Sequence, residues 1–169
     1  MIDLNFLFNG NYVKRFHALP TIEDETVGHH SHTVAALVWV LSDGKASAKE
    51  LMAALLHDHP EQVIGDIPAN TKKFLKTEEL SKYEDTLTED AGWVSNASLT
   101  VAERRRQKAA DIFSGMLACV RELSLGNKNL SAVYGRYLSY LSEYDLCKSE
   151  PEVRVLKFID ELWRKYGGE

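Results

Sequence analysis

Cysteine, proline and glycine are all scarce in this chain, and each shortage removes a class of structure. The 169 residues include 2 Cys, 4 Pro and 10 Gly. Cys119 and Cys147 show neither CxxC nor metal-ligand spacing, so the chain offers no disulfide scaffold and no cysteine zinc site. Both lie among apolar or helical neighbours, as free buried thiols do, which fits a reducing compartment. So few Gly and Pro leave too few tight turns for a β-sandwich or barrel. No stretch approaches the ~20 apolar residues of a membrane span. Met1-Ile2-Asp3-Leu4-Asn5 lacks the charged and apolar regions of a signal peptide, so the expectation is a cytoplasmic protein without a membrane partner. Positive charge is short as well. The net charge of -5 and pI near 5.7 argue against a stable nucleic-acid partner, because binding by counterion release needs a basic face. One basic run, Arg104-Arg105-Arg106 with Lys108, reads either as a solvated helix face or as a phosphate-facing patch.

What is present is helical periodicity over a chain long enough, and at 44% hydrophobic apolar enough, for a single core spanning 1–169. Val34, Leu37, Val38 and Leu41 form one stripe on a helix from about His29 to Ser42, stopped by Asp43-Gly44. A second helix runs from an N-cap at Ser47 to His57, with Leu51, Ala54 and Leu55 inward. Pro60 and Pro68 enclose an irregular stretch, and a charged, weakly held surface helix follows over Thr77 to Asp90. Thr100-Val101-Ala102-Glu103 is a capping box opening a long helix to about Leu125, with Ile112, Phe113, Met116, Val120 and Leu123 as its core stripe. Another helix spans about Leu130 to Leu146. A second capping box, Ser149-Glu150-Pro151-Glu152, starts a last helix carrying Val153, Leu156, Ile159 and Trp163. The fold expected is all-α, a compact bundle of six or seven helices.

Five of the six histidines fall at His29, His30, His32, His57 and His59, beside the pair His57-Asp58. Imidazole and carboxylate together suit borderline divalent cations. His30 lies four residues before Val34 and so over the buried stripe, whereas His29 and His32 point elsewhere. Adjacent helical residues diverge by about 100°, so His57 and Asp58 share an ion only if the helix loosens there or the ion lies between them. Taken singly, each is by default a satisfied core or cap residue; taken together they read as ligands. Asp111 interrupts the apolar run Ala109, Ala110, Ile112, Phe113, where a carboxylate is costly unless paired or metal-bound. An ion pair with Lys108, three residues earlier, would equally account for it.

The order His30, His57-Asp58, Asp111 resembles the H…HD…D signature of the HD phosphohydrolases. The motifs Arg15-Phe16, Glu25-Thr26-Val27-Gly28-His29-His30-Ser31, Leu56-His57-Asp58-His59-Pro60-Glu61, Gly65-Asp66-Ile67-Pro68 and Lys108-Ala109-Ala110-Asp111 are similar to one branch. That branch holds the bacterial 5'-deoxynucleotidases and the compact phage dATP triphosphohydrolases. The resemblance covers roughly Val13 to Leu123 and implies a role for each position. His30, His57, Asp58 and Asp111 would hold a divalent cation (Zn, Co, Mn or Mg, one or more). Glu61 would act as acid–base residue on the attacking water, and Asp66 as a second catalytic carboxylate. Arg15, Lys72 and Lys108 would hold the phosphates. Phe16 would pack on the deoxyribose, although relatives often carry Trp there, and His29 stands where nucleotidases often have Glu.

For the base, His17, Ala18, Pro20 and Ile22 could wall a pocket and Asn70 could add a polar edge, since an amide pairs bidentately with adenine. Apolar walls would reject a 2-amino group by collision. The leading expectation is hydrolysis of dATP to deoxyadenosine and triphosphate. By resemblance this would occur in phage-infected host cytoplasm, where dATP is removed so that 2-aminoadenine replaces adenine. A general 5'-deoxynucleotidase acting on monophosphates is the first alternative, and a non-catalytic nucleotide-binding domain the second. Relatives imply a homo-oligomer, dimer or hexamer. The aromatics Tyr134, Tyr137, Tyr140, Tyr144, Trp163 and Tyr166 suit either an interface or the core.

Overall fold

The computed structural model describes residues 1–68, 71, 74–75 and 77–168. Among them the regular elements are helical, and the one β-feature is an isolated antiparallel bridge between Lys14 and Thr26. In chain order these are α1 (Leu4–Gly10), α2 (Val27–Leu41), α3 (Ala48–Leu56), the single turn α4 (Glu61–Ile64), α5 (Thr77–Asp90), a 3₁₀ turn (Asn96–Ser98), α6 (Val101–Ser124), α7 (Ser131–Glu143) and α8 (Glu150–Lys165). The all-α expectation is met. None of these helices is long and apolar enough to cross a membrane.

The centre of the bundle is α6. It packs against α2 on one side and against α7 and α8 on the other, and α2 is backed by α3. Val34, Val38, Phe113, Met116 and Ile159 are wholly buried where these helices meet. Both capping boxes form as the sequence prescribes, Thr100 with Glu103 and Ser149 with Glu152. The basic run is neither a free solvated face nor a uniform phosphate patch. Arg105 ties to the buried Glu152 at 2.8 Å, and Arg106 to the buried Glu50 at 2.7 Å. Trp163 stacks on Tyr134 at 3.9 Å, placing two of the aromatics in the core. Val153, expected inward, is half-exposed, and Val155 fills the core position instead.

Two elements were not anticipated. Helix α1 is short, with Asn5, Asn9 and Gly10 among its residues, and only Phe6 and Gly10 are buried. It forms because the Asp3 side chain caps Asn5 N at 2.8 Å. Tertiary contact sustains it, since Gln62 donates to the Phe6 carbonyl at 2.8 Å and Gly10 lies against the His59 ring, where a Cβ would collide. Turn α4 follows Pro60, whose fixed φ suits a helix start.

Candidate metal centre and its cavity

Three chain segments bring the expected ligands to one point. His30 lies in the first turn of α2, which Thr26 caps through its side chain. Helix α3 stops at Leu56, and His57 becomes its C-cap with Asp58 in the turn beyond. This early stop lets neighbouring residues face one site. Asp111 comes from the middle of α6, opposite α2.

His30, His57 and Asp58 each offer a ligand atom within 4.8 Å of the others. His30 Nε2 is 3.4 Å from Asp58 Oδ2 and 3.3 Å from Asp111 Oδ1, and His57 Nε2 is 3.4 Å from Asp58 Oδ1. A tetrahedral cation with bonds of about 2.0–2.1 Å separates its ligand atoms by about 3.3–3.4 Å, so the spacing fits such an ion. Both imidazole Nε2 atoms are buried and make no hydrogen bond among the described residues. The opposite ring nitrogens are engaged. His57 Nδ1 donates to the Ala54 carbonyl at 2.8 Å, and His30 Nδ1 meets Ser114 Oγ at 3.0 Å. With the proton on Nδ1, each Nε2 presents its lone pair, as a metal-binding histidine requires.

Charge around the cluster is balanced. Burial, reinforced by Arg15, lowers the His30 pKa to about 4, so the ring is neutral at pH 7. Burial alone would raise the Asp111 pKa, yet Lys108 at 2.9 Å and His30 hold it well below the usual carboxylate range. Asp111 is therefore the ion-pair partner of Lys108, with its other oxygen 3.3 Å from His30 Nε2. Arg15 is partly buried, with Nη1 2.6 Å from Asp58 Oδ2 and Nε 3.4 Å from Glu25 Oε2. Burial pushes Glu25 up to about 7 in spite of Arg15. The Lys14–Thr26 bridge, with Arg15 N donating to the Glu25 carbonyl at 2.9 Å, sets Arg15 beside Asp58.

The remaining expected residues divide by place. Glu61 is buried at the start of α4, one turn beyond His57-Asp58. Asp66 Oδ2 is 3.2 Å from His17 Nδ1, so these two form a pair. Phe16 sits at φ 53°, a left-handed conformation costly for a bulky residue, and lies under the Arg15 guanidinium at 5.9 Å. It lines a cavity of about 240 Å³ with Thr21, Glu25 and Ser114. Ala18, Pro20 and Ile22 are exposed on the loop that follows. Lys72 and Asn70 lie outside the described residues. His29 and His32 are exposed, as their helix positions implied, whereas His59 is buried against α1.

A larger cavity of about 860 Å³ opens on the cluster between the end of α3, α5 and α6, lined by His57, Asp58, Lys108 and Asp111. Its size is that of a nucleotide-scale pocket. Helix α5, expected as a weakly held surface helix, walls this cavity. Glu122 is a further residue the sequence does not single out: its carboxylate accepts from Ile22 N at 2.8 Å, Glu23 N at 2.9 Å and Asn127 Nδ2 at 2.6 Å, pinning the Phe16–Glu23 loop. A glutamate near a helix C-terminus carries no signal that separates it from a surface residue.

A helical bundle with a two-histidine, two-carboxylate cluster of this order has the architecture of the HD phosphohydrolases. The chain belongs to the family described as 5'-deoxynucleotidase YfbR-like, whose model matches residues 4–166. It is 30% identical over 171 residues to a dATP triphosphohydrolase from Salmonella phage PMBT28, covering 92% of this chain and 87% of that one. Its fold matches the cyanophage S-2L HD phosphohydrolase DatZ, bound to dA and one catalytic Zn2+ ion, with TM-score 0.72, 18% identity and coverage of 98% and 97%. A Listeria innocua HD-domain phosphohydrolase matches with TM-score 0.69 and 19% identity over 98% of this chain and 88% of that one. The protein is thus an enzyme of the HD phosphohydrolase kind.

Proposed function

We propose that this enzyme hydrolyses dATP at the ester between the 5'-oxygen and the α-phosphorus, releasing deoxyadenosine and triphosphate. In a phage-infected cell this would deplete dATP while 2-aminoadenine DNA is made. The observation that carries the reading is the cluster of His30, His57 and Asp58, with Asp111 against His30, Arg15 against Asp58, and Lys108 lining the nucleotide-sized cavity that opens on it. The phage relative's activity supports the choice of substrate.

The donor set favours a borderline divalent cation, with Zn, Co and Mn ahead of Mg. When bound, such an ion acidifies water and polarises a phosphoryl oxygen. Arg15 and Lys108 grip the α-phosphate oxygens and offset the charge that builds on them, and Lys72 is proposed to assist. Glu61 takes the proton of the attacking water. As the phosphorus–oxygen bond breaks, the Asp66–His17 pair returns a proton to the departing 5'-oxygen. Phe16 packs against the deoxyribose. Ala18, Pro20 and Ile22 are proposed to wall the base, where apolar walls would disfavour a 2-amino group, and Asn70 is proposed to add a polar edge.

The family description favours one second reading, a 5'-deoxynucleotidase acting on monophosphates. The test is to incubate the purified protein with each dNTP, dAMP, ATP and 2-amino-dATP in the presence of each cation, alongside an Asp58→Ala control. Deoxyadenosine and triphosphate formed from dATP, and lost in the control, are expected. Turnover of many monophosphates with little action on dATP would support the second reading, and binding without any product would leave a nucleotide-binding domain.

A further inference from the structure

The large cavity does not end at the metal centre. It continues along α6 beyond Lys108 to Gln107 and Arg104, under α5 and beside Asn96 of the 3₁₀ turn. Arg104, Gln107, Lys108 and Asp111 fall at helical spacings of three, four and seven, and so share one face of α6. At 1.5 Å per residue, Gln107 lies about 6 Å and Arg104 about 10 Å along the axis from Asp111. This extension contains an anomaly. Gln107 is 6% exposed, its Nε2 donates to Asn96 Oδ1 at 2.9 Å, and its Oε1 is buried with no hydrogen-bond partner among the described residues. Buried amide atoms are rarely left so. Arg104 spends one Nη1 donor on the Leu99 carbonyl, and the rest of its planar fork is available to the cavity.

We propose that this extension is the seat of the distal phosphates of a nucleoside triphosphate, with Arg104 and Gln107 as its contacts. The inference rests on the phosphohydrolase reading and concerns only which nucleotides the site prefers. The α-phosphate has two substituents, the 5'-oxygen and the bridge to the β-phosphate, and they leave the metal centre in different directions. Phe16 and the His17–Asp66 pair occupy the Arg15 side. The open cavity on the Lys108 side then takes the β- and γ-phosphates. Gln107 and Asn96 are both amides, so 180° rotations exchange their roles; Gln107 then accepts from Asn96 and turns its NH₂ towards a phosphate oxygen. The acids on the α5 wall are in part engaged elsewhere. Asp85 accepts from Ala97 N at 3.1 Å, and Glu78 pairs with Lys82 at 3.4 Å. A monophosphate leaves the extension to water, so Arg104 and Gln107 discriminate by chain length and not by base.

The test compares the wild type with Arg104→Ala and Gln107→Glu, reading kcat/KM for dATP, dADP and dAMP. Arg104 is exposed and its truncation spares the core, so it covers the case in which the buried Gln107→Glu change disturbs folding. The ratio of dATP to dAMP efficiency is expected to fall at least tenfold in each, the size of effect that one charge-assisted hydrogen bond carries. A binding measurement independent of turnover uses inorganic triphosphate. It should raise the melting temperature of the wild type more than orthophosphate does, and Arg104→Ala should abolish the difference. An unchanged ratio in both variants, with triphosphate still stabilising Arg104→Ala, overturns the assignment. A wild type that turns over no nucleotide yet is stabilised by triphosphate through Arg104 would sink the catalytic reading and leave this site standing.

Discussion

His30 uses both ring nitrogens. Nε2 faces the cluster, and Nδ1 is held by Ser114 of α6, whose hydroxyl also lies 3.5 Å from the His30 carbonyl. Ser114 thus fixes the tautomer and orientation of a proposed metal ligand without joining the cluster. Replacing a partner of this kind typically costs 10–100-fold in metal affinity. Ser114→Ala is therefore expected to weaken Zn2+ binding by about tenfold or more in competition with a chromophoric chelator, with the fold intact; unchanged affinity would contradict the role. At this scale the sequence was legible where residue types are rare and clustered. Six histidines, five of them gathered in two short segments, one of which holds the His57-Asp58 pair, point to a candidate site. Ser114 did not, because a serine beside Gly115 and Ala118 reads as a small spacer. Gly115 has its own reason to be small, since an added Cβ would collide with Tyr137.

Between elements, buried carboxylates act as pins. Glu122 holds the Phe16–Glu23 loop through two backbone amides and Asn127, and Asn127 Nδ2 also reaches the Pro20 carbonyl at 2.9 Å. Truncation would leave those donors with no acceptor, so Glu122→Ala is expected to cost about 2 kcal/mol in urea unfolding; a loss below ~0.5 kcal/mol would show that the loop is held otherwise. The pins also set an acid limit. Burial tends to raise both Glu122 and Glu152, but backbone and side-chain hydrogen bonds outweigh it and hold each below the ordinary value of 4.5. A depressed folded-state pKa contributes stability that is complete above 4.5 and lost as pH falls through the lower folded value. The melting temperature should therefore drop below about pH 4.5, and Glu122→Ala should show a shallower drop. Helix starts were legible because caps are local. The turn α4, the helix α1 and the role of α5 were not, since each depends on contact with distant chain.

For the whole molecule, periodicity told the all-α bundle and the core stripe of α6, because burial repeats along each helix whatever its neighbours; the central place of α6 comes from its contacts with α2, α7 and α8. It did not tell the cavity, whose walls come from the end of α3, from α5 and from α6. Nor did it separate core aromatics from surface ones. Tyr134 and Trp163 are buried, whereas Tyr144 and Tyr166 are exposed. Trp39, Val40, Val153 and Phe158 are likewise exposed, on helices linked by the Arg154–Asp43 ion pair at 3.7 Å. Homo-oligomerisation, to a dimer or hexamer, is the proposal these apolar surfaces support. Sedimentation velocity at micromolar concentration should show one of those species, and a monomer would contradict it.

One divalent cation, held by His30, His57, Asp58 and Asp111, is proposed to make this bundle a phosphohydrolase. The most direct test is titration of chelator-stripped protein with Zn2+, Co2+ or Mn2+, following metal occupancy and dATP hydrolysis in the same samples. Stripped protein is expected to be inactive, and activity is expected to return in step with the first equivalent bound. Asp58→Ala is expected neither to bind the ion tightly nor to recover. Full activity in the stripped protein, or tight stoichiometric binding that persists in Asp58→Ala, would contradict the proposal.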